Sequence, residues 1–261
     1  MLRCEGLTIT LGARQILRQV SVEIPARGLV GVLGPNGSGK TTLLRALSGA
    51  LRPDSGTIMF DGRDLKTYAA IQLARRLAVV PQETHLAFDY SVMEIVLMGR
   101  YPHLGAFEFE GPADLACAHA ALASTGTDHL AERAYATLSG GEKQRVVIAS
   151  ALAQLSEGAH DRNTGGRVLL LDEPTASLDL RYQMEVATLL RRLHDRQDIT
   201  IVMTTHDVHF AARVCSELVL LGEGHVMAQG APHTVLTTSQ IAALYSIEPA
   251  QAALFASVEQ P

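Results

Sequence analysis

The sequence predicts an α/β fold: a parallel core sheet, preceded by an antiparallel β layer and interrupted by an inserted helical lobe. Three observations predict it. Short apolar runs at 29–33, 77–80, 168–171 and 199–204 alternate with helix-forming stretches, as in the βα units of a parallel sheet. Ahead of them, residues 7–11 and 20–24 alternate apolar and polar side chains, the pattern of half-buried antiparallel strands. Between 85 and 155 the strand pattern stops and helical periodicity takes over. The organisation expected is one domain, with 1–84 and 156–261 forming the core and β layer and 85–155 the helical lobe. At 261 residues the chain can bury a sizeable core.

In chain order, Leu7-Thr8-Ile9-Thr10-Leu11 and Val20-Ser21-Val22-Glu23-Ile24 are the early strands, punctuated by Gly12 and by residues 25–28. The run Leu29-Val30-Gly31-Val32-Leu33 reads as a buried strand and 43–48 as a helix. A turn-rich link at 49–56 leads to a strand at 57–60 and the turn Asp61-Gly62. A short helix is expected at 71–76, then the strand 77–80. In the lobe, Ser91 with Glu94 three residues on is a capping box for a helix over 91–99. Residues 101–111 read as loop, 113–124 as an Ala-rich helix and 142–155 as a strong helix. The polar stretch SEGAHDRNTGG at 156–166 is a surface loop. There follow a strand at 168–171, a helix at 182–195, a strand at 199–204, a helix at 208–214 and a hairpin of 218–221 with 224–227. The Ala-rich tail from 232 is mostly helical and carries no motif, and no internal repeat is present.

Composition narrows the function classes. Hydrophobic residues make up 47% and charged residues 19%, as in a soluble globular protein, and the formal net charge of −5 gives no footprint for nucleic acid. Cys4, Cys117 and Cys215 lie far apart with no Cys-x-x-Cys, so neither a disulfide framework nor a zinc site is expected, and reduced thiols are the default. The N-terminus lacks the apolar core of a signal peptide. No stretch of about 18 apolar residues occurs, so a membrane role would come through a partner chain.

The chemistry concentrates first in Gly34-Pro35-Asn36-Gly37-Ser38-Gly39-Lys40-Thr41-Thr42. Gly-x-x-x-x-Gly-Lys-Thr between a strand and a helix is the P-loop. Its glycines let backbone N–H groups turn inward around phosphate oxygens, and the following helix adds its positive end. Lys40 supplies a point charge for the β- and γ-phosphates and Thr41 a hydroxyl for Mg²⁺. The second signal is Val168-Leu169-Leu170-Leu171-Asp172-Glu173. An apolar strand delivers two carboxylates at its end, and because adjacent strand residues face opposite ways the two take different roles. Asp172 is placed to hold Mg²⁺, directly or through water, and Glu173 to polarise an attacking water. Together the two signals indicate hydrolysis of a nucleoside triphosphate.

The third signal, Leu138-Ser139-Gly140-Gly141-Glu142-Lys143-Gln144-Arg145, resembles the signature motif of ABC-type ATPases, and the order of the other pieces agrees. Gln82, after an apolar strand, is similar to the Q-loop; Ser177-Leu178-Asp179 resembles the D-loop; His206, after the 199–204 strand, resembles the switch histidine. The resemblance covers residues 2–230 and implies a P-loop NTPase fold of ABC type. In that family two subunits meet head to tail. Each ATP lies between the P-loop of one and the signature of the other, so Ser139, Gly140, Gly141 and Glu142 would serve the partner's ATP. It further implies that His206 hydrogen-bonds the γ-phosphate and that Gln82 joins Thr41 and Asp172 at Mg²⁺. One departure stands out: where the family stacks adenine on an aromatic ring, this chain has Leu11 before Gly12, which offers apolar contact without a π face.

Gly99-Arg100-Tyr101-Pro102-His103 is similar to a segment of the ATPases of iron-chelate, haem and cobalamin importers, in the region that meets the membrane subunits. The 156–166 insertion and the wording Ala176-Ser177-Leu178-Asp179-Leu180 resemble the haemin branch. The resemblance therefore implies a homodimeric ATPase at the cytoplasmic face of a bacterial inner membrane, peripheral to it. It would contact two permease subunits through 82–103 and be served indirectly by a periplasmic binding protein. Ferric siderophore and cobalamin are the alternative cargoes. A soluble ABC ATPase acting on ribosomes or DNA usually has two cassettes or a coiled-coil insertion, which this chain lacks. A non-catalytic module is at odds with the full set of catalytic residues, and the Gly99–His103 segment separates an importer from an exporter.

Overall fold

The computed structural model describes residues 2–84, 86–157, 165–176, 178–196 and 199–256. The 156–166 insertion thus lies largely outside the described residues, as does Ser177.

The chain opens with β1 (Leu2–Leu11), β2 (Arg14–Ile24) and β3 (Leu29–Leu33), and the P-loop then leads into α1 (Lys40–Leu47). β4 (Ser55–Phe60) and β5 (Arg63–Asp64) complete a sheet of order β2-β1-β4-β5, antiparallel throughout. α2 (Ala70–Ala74), slightly earlier than expected, precedes β6 (Leu77–Val80). The helical stretch holds α3 (Val92–Met98), α4 (Pro112–Thr125) and α5 (Gly140–Leu155). Next come β7 (Arg167–Leu171), α6 (Leu180–Arg196), β8 (Ile199–Thr205), α7 (Val208–Val214), β9 (Glu217–Gly222) and β10 (His225–Gly230). The tail forms α8 (Pro232–Val235), α9 (Thr238–Tyr245) and α10 (Pro249–Ala256).

The second sheet has the order β10-β9-β3-β8-β7-β6, parallel except for the β9–β10 hairpin. Its strands are apolar on both faces because both faces are covered. Val30, Val32, Val168, Leu170 and Val202 face a cluster shared with α1 and the β layer. Their neighbours Leu29, Leu33, Leu169, Leu171 and Met203 face a larger cluster shared with α3–α7. The lobe helices and the core helices therefore bury into one apolar body.

The capping expected from sequence is present. Ser91 Oγ accepts from the Glu94 N–H while the Glu94 carboxylate accepts from Ser91. Residues 101–111 are not wholly loop, since Tyr101–His103 closes a 3₁₀ turn with Pro102 at its start. Proline's fixed φ favours that position.

Strand order is what assembles the site. The loops after β3, β8, β7 and β6, adjacent in that order, carry the P-loop, His206, Asp172 with Glu173, and Gln82. Neighbouring parallel strands stand about 4.8 Å apart, so four segments distant in sequence meet at one carboxyl edge.

Candidate active site

The P-loop is held from several sides. Gly34 N–H donates to Thr205 O at 3.3 Å, and Gly224 N–H donates to Ser38 O at 3.2 Å. Gly39, with φ of 105°, caps α1 without a side-chain acceptor. A Cβ there would stand 2.7 Å from Leu17 Cδ2 on the β layer, and the left-handed φ disfavours any side chain. α3, α5 and α7 have their first N–H groups capped by Ser91, Ser139 and Asp207. α1 has no such cap, which leaves its N-terminus to an anion. Ser38 Oγ is buried and has no hydrogen-bond partner among the described residues, a second feature that fits a phosphate oxygen.

A cavity of about 340 Å³ lies against this loop. It is lined by Asn36, Gly37 and residues 39–42, by Gln82 and Glu173, and from the β layer by Arg14 and Ile16. Leu11, the expected base contact, is exposed at the end of β1 and is not in the lining. Arg14 and Ile16 take the position nearest the loop instead. Sequence reading missed both, because it began the second strand at Val20 whereas β2 starts at Arg14.

Lys40 is buried, and its Nζ donates to Gly34 O at 2.8 Å and Pro35 O at 3.1 Å and pairs with Glu173 Oε1 at 3.1 Å. Glu173 Oε2 lies 3.0 Å from His206 Nδ1. A carboxylate only accepts, so Nδ1 carries the hydrogen there. Asp172 Oδ1 accepts from Thr41 Oγ1 at 3.1 Å and from Thr204 Oγ1 at 2.6 Å. Thr204 Oγ1 in turn accepts from the Glu173 N–H at 2.8 Å. Thr204 thus orients both carboxylate residues. A threonine inside a buried strand gives no sequence signal for that role, because β-branched residues are expected there anyway.

The alternation argument for Asp172 and Glu173 needs correction. β7 ends at Leu171, and Glu173 has φ of 44°, in the left-handed region. That turn brings its carboxylate back toward Lys40, so both carboxylates serve one edge. A strained backbone of this kind clusters at functional sites.

Among the described residues no group of three or more His, Cys, Asp and Glu side chains could hold a metal. The oxygens gathered at Thr41 and Asp172, beside Gln82, fit Mg²⁺, which takes few protein ligands and completes its shell with water and phosphate.

Ser139, Gly140, Gly141 and Glu142 form the first turn of α5 and do not line this cavity. Ser139 and Glu142 cap each other, the carboxylate accepting from Ser139 N–H and Oγ at 2.8 Å each. Those hydrogen bonds hold the Glu142 carboxyl below its ordinary range. Asp179 caps α6, accepting from Tyr182 N–H at 3.1 Å.

In the Gly99–His103 segment, Arg100 is buried, pairs with Asp114 at 3.0 Å and donates to Ala153 O and Ser156 O. His103 Nε2 meets Gln154 O at 2.7 Å. These two residues tie α3, α4 and α5 together. The exposed part is aromatic: Tyr101, with Phe88, Phe107 and Phe109 in the neighbouring loops. No described helix is long and apolar enough to cross a membrane.

Residues 17–176 match the family described as ABC transporter. The chain is 43% identical to the hemin import ATP-binding protein HmuV of Gloeobacter violaceus over 241 residues, covering 92% of this chain and 86% of the relative. It is 43% identical to HmuV of Bordetella pertussis over 249 residues, covering 95% and 92%. It is 42% identical to the cobalamin import ATP-binding protein BtuD of Halobacterium salinarum over 92% of this chain, but spans only 57% of that relative's length. Among solved structures, a metal-chelate type ABC transporter in an inward-facing conformation superposes with a TM-score of 0.79 at 33% identity, covering 93% of this chain and 88% of that one. The dimeric, post-hydrolysis ATP-binding cassette MJ0796 bound to ADP and Pi superposes with a TM-score of 0.73 at 25% identity, covering 89% and 99%. This chain belongs to the ABC transporter family.

Proposed function

We propose that this chain is the ATP-hydrolysing subunit of a bacterial importer, acting as a homodimer at the cytoplasmic face of the inner membrane, and that the cargo is haemin. The observation that carries the ATPase reading is the meeting of Lys40, Glu173 and His206 at the mouth of the P-loop cavity. Lys40 binds the β- and γ-phosphates. Glu173 now neutralises that ammonium, so it and the phosphates are competing partners for one charge. Once released, the Glu173 carboxylate accepts a proton from the attacking water, and His206 orients the carboxylate and the γ-phosphate edge. Thr41, Asp172 and Gln82 would hold Mg²⁺, which when bound neutralises charge on the phosphates. Within the Ser139–Glu142 turn, whose Ser139 and Glu142 N–H groups are taken up by mutual capping, the Gly140 and Gly141 N–H groups would serve a second copy's ATP, consistent with the turn's place outside the chain's own cavity lining. Asp179, one residue before α6, would face that second copy.

The exposed aromatic residues Tyr101, Phe88, Phe107 and Phe109 supply an apolar face for the permease subunits, in the segment that follows Gln82. A periplasmic binding protein delivers the cargo. The haemin assignment is supported by the HmuV relatives, which this chain matches nearly end to end. Cobalamin or a ferric siderophore is the second reading, favoured by the BtuD relative and the metal-chelate transporter.

The test is ATPase activity of the chain with its permease in lipid vesicles, with haemin, a ferric siderophore or cobalamin presented on the matching binding protein. Stimulation and uptake with haemin alone are expected. Stimulation by another cargo would overturn the haemin assignment, and none by any of them would overturn the importer reading.

A further inference from the structure

His206 sits in a two-residue link between β8 and α7. About half of its side chain is exposed, so burial does not fix it. Its direction depends on hydrogen bonds made by the link. On the ring side, Nδ1 donates to Glu173 Oε2. On the backbone side, the His206 carbonyl oxygen accepts from Tyr245 Oη at 2.9 Å. Tyr245 is the last residue of α9, and its own position is over-determined. Thr237 caps the helix start, Ile241 and Leu244 are buried, and Ile247 N–H closes the helix end onto Ala242 O at 3.1 Å. α10 approaches α7 as well, since the Phe255 ring packs on His209 with centroids 5.4 Å apart. The C-terminal helices thus grip the histidine segment at two points.

We propose that Tyr245 is a positioning residue for ATP hydrolysis, its hydroxyl fixing the His206 carbonyl and thereby the angle at which the imidazole meets Glu173 and the γ-phosphate. This rests on the role given to His206 above. Burial and the negative charges of Asp207 and Glu173 push the Tyr245 phenol up to about 12, so it stays a proton donor across the working pH range. The C-terminal tail carries no motif of its own, yet through Tyr245 it supplies the far anchor of the histidine segment.

Tyr245→Phe deletes one oxygen and keeps the ring. Steady-state ATPase kinetics are measured for the homodimer of the wild type, Tyr245→Phe, His206→Ala and the double variant, with thermal midpoints alongside. The loss of one neutral hydrogen bond predicts a fall in kcat of about fivefold for Tyr245→Phe. KM for ATP stays unchanged, the thermal midpoint falls by no more than about 2–4 °C, and the double variant is no slower than His206→Ala alone. Unchanged kcat in Tyr245→Phe beside a slow His206→Ala overturns the inference. So does a loss that adds in full to that of His206→Ala, or a rise in KM with a midpoint drop well beyond about 4 °C, which mark a merely structural hydroxyl. Wild-type turnover in His206→Ala overturns the role of His206 itself, and this inference with it.

Discussion

Glu173 holds the strain of the site. A glutamate with φ of 44° costs about 1–3 kcal/mol, and it is kept there by the hydrogen bond from its N–H to Thr204 and by its two carboxylate contacts. Removing Lys40 would therefore do two things. Lys40→Ala deletes the charge for the phosphates and leaves the mostly buried Glu173 carboxylate without its cation. ATP binding, followed by fluorescence of a labelled nucleotide, should be lost, and no turnover should remain above background. The base end of the cavity carries a milder expectation. Ile16 and Arg14 stand there and no aromatic ring lines the cavity among the described residues, so phosphate contacts supply most of the affinity. ATP and GTP should bind within about one order of magnitude of each other, and a strong ATP preference in competition titrations would contradict that. At this scale the sequence was informative wherever chemistry needs a rare pattern, as at Gly34–Thr42 and Asp172-Glu173. Thr204 and Tyr245 were not legible, because their roles depend on which element lies beside which. The left-handed turn at Glu173 was not legible either, since nothing in Leu171-Asp172-Glu173 forbids continued strand.

Among the elements, the helical lobe is tied by charged groups that protonation can undo. Burial raises the Asp114 carboxyl, but the Gly111 N–H and the Arg100 guanidinium outweigh that and hold it below its usual range. Hydrogen bonds from the Ser139 N–H and hydroxyl do the same for Glu142. A carboxyl lowered on folding contributes stability that is complete above its unfolded value and is lost as pH falls through the folded one. The urea midpoint should therefore be level from neutral pH to about 5 and fall below about 4, where free carboxyl groups titrate. A decline already complete by about pH 5 would contradict this. The helix after Ser91 was legible because its cap is local, Glu94 lying three residues on; Ser139 and Glu142 have the same spacing, yet that helix was expected only from 142 and starts at Gly140. The inward direction of Arg100 and His103 was not, because it is set by α4 and α5, which arrive later in the chain. With Arg100 buried and His103 half-buried, the docking role proposed for that segment falls to Tyr101 and the aromatic residues of the neighbouring loops.

At the scale of the whole molecule, the fold class followed from the alternation of strands and helices, whereas the strand order β10-β9-β3-β8-β7-β6 did not. That order depends on long-range pairing, and it is what gathers Lys40, His206, Glu173 and Gln82 on one edge. It also leaves the Ser139–Glu142 turn outside the cavity lining, so one copy holds only part of the proposed site. Two copies placed head to tail would complete it twice. The most direct measurement is light scattering of Glu173→Gln with ATP and Mg²⁺. The substitution keeps the shape of residue 173 and removes the group that accepts the water proton, which slows turnover by about 10²- to 10⁴-fold. The account predicts twice the monomer mass, with two unhydrolysed ATP molecules retained per dimer. A monomer at saturating ATP, or full turnover by this variant, would contradict it.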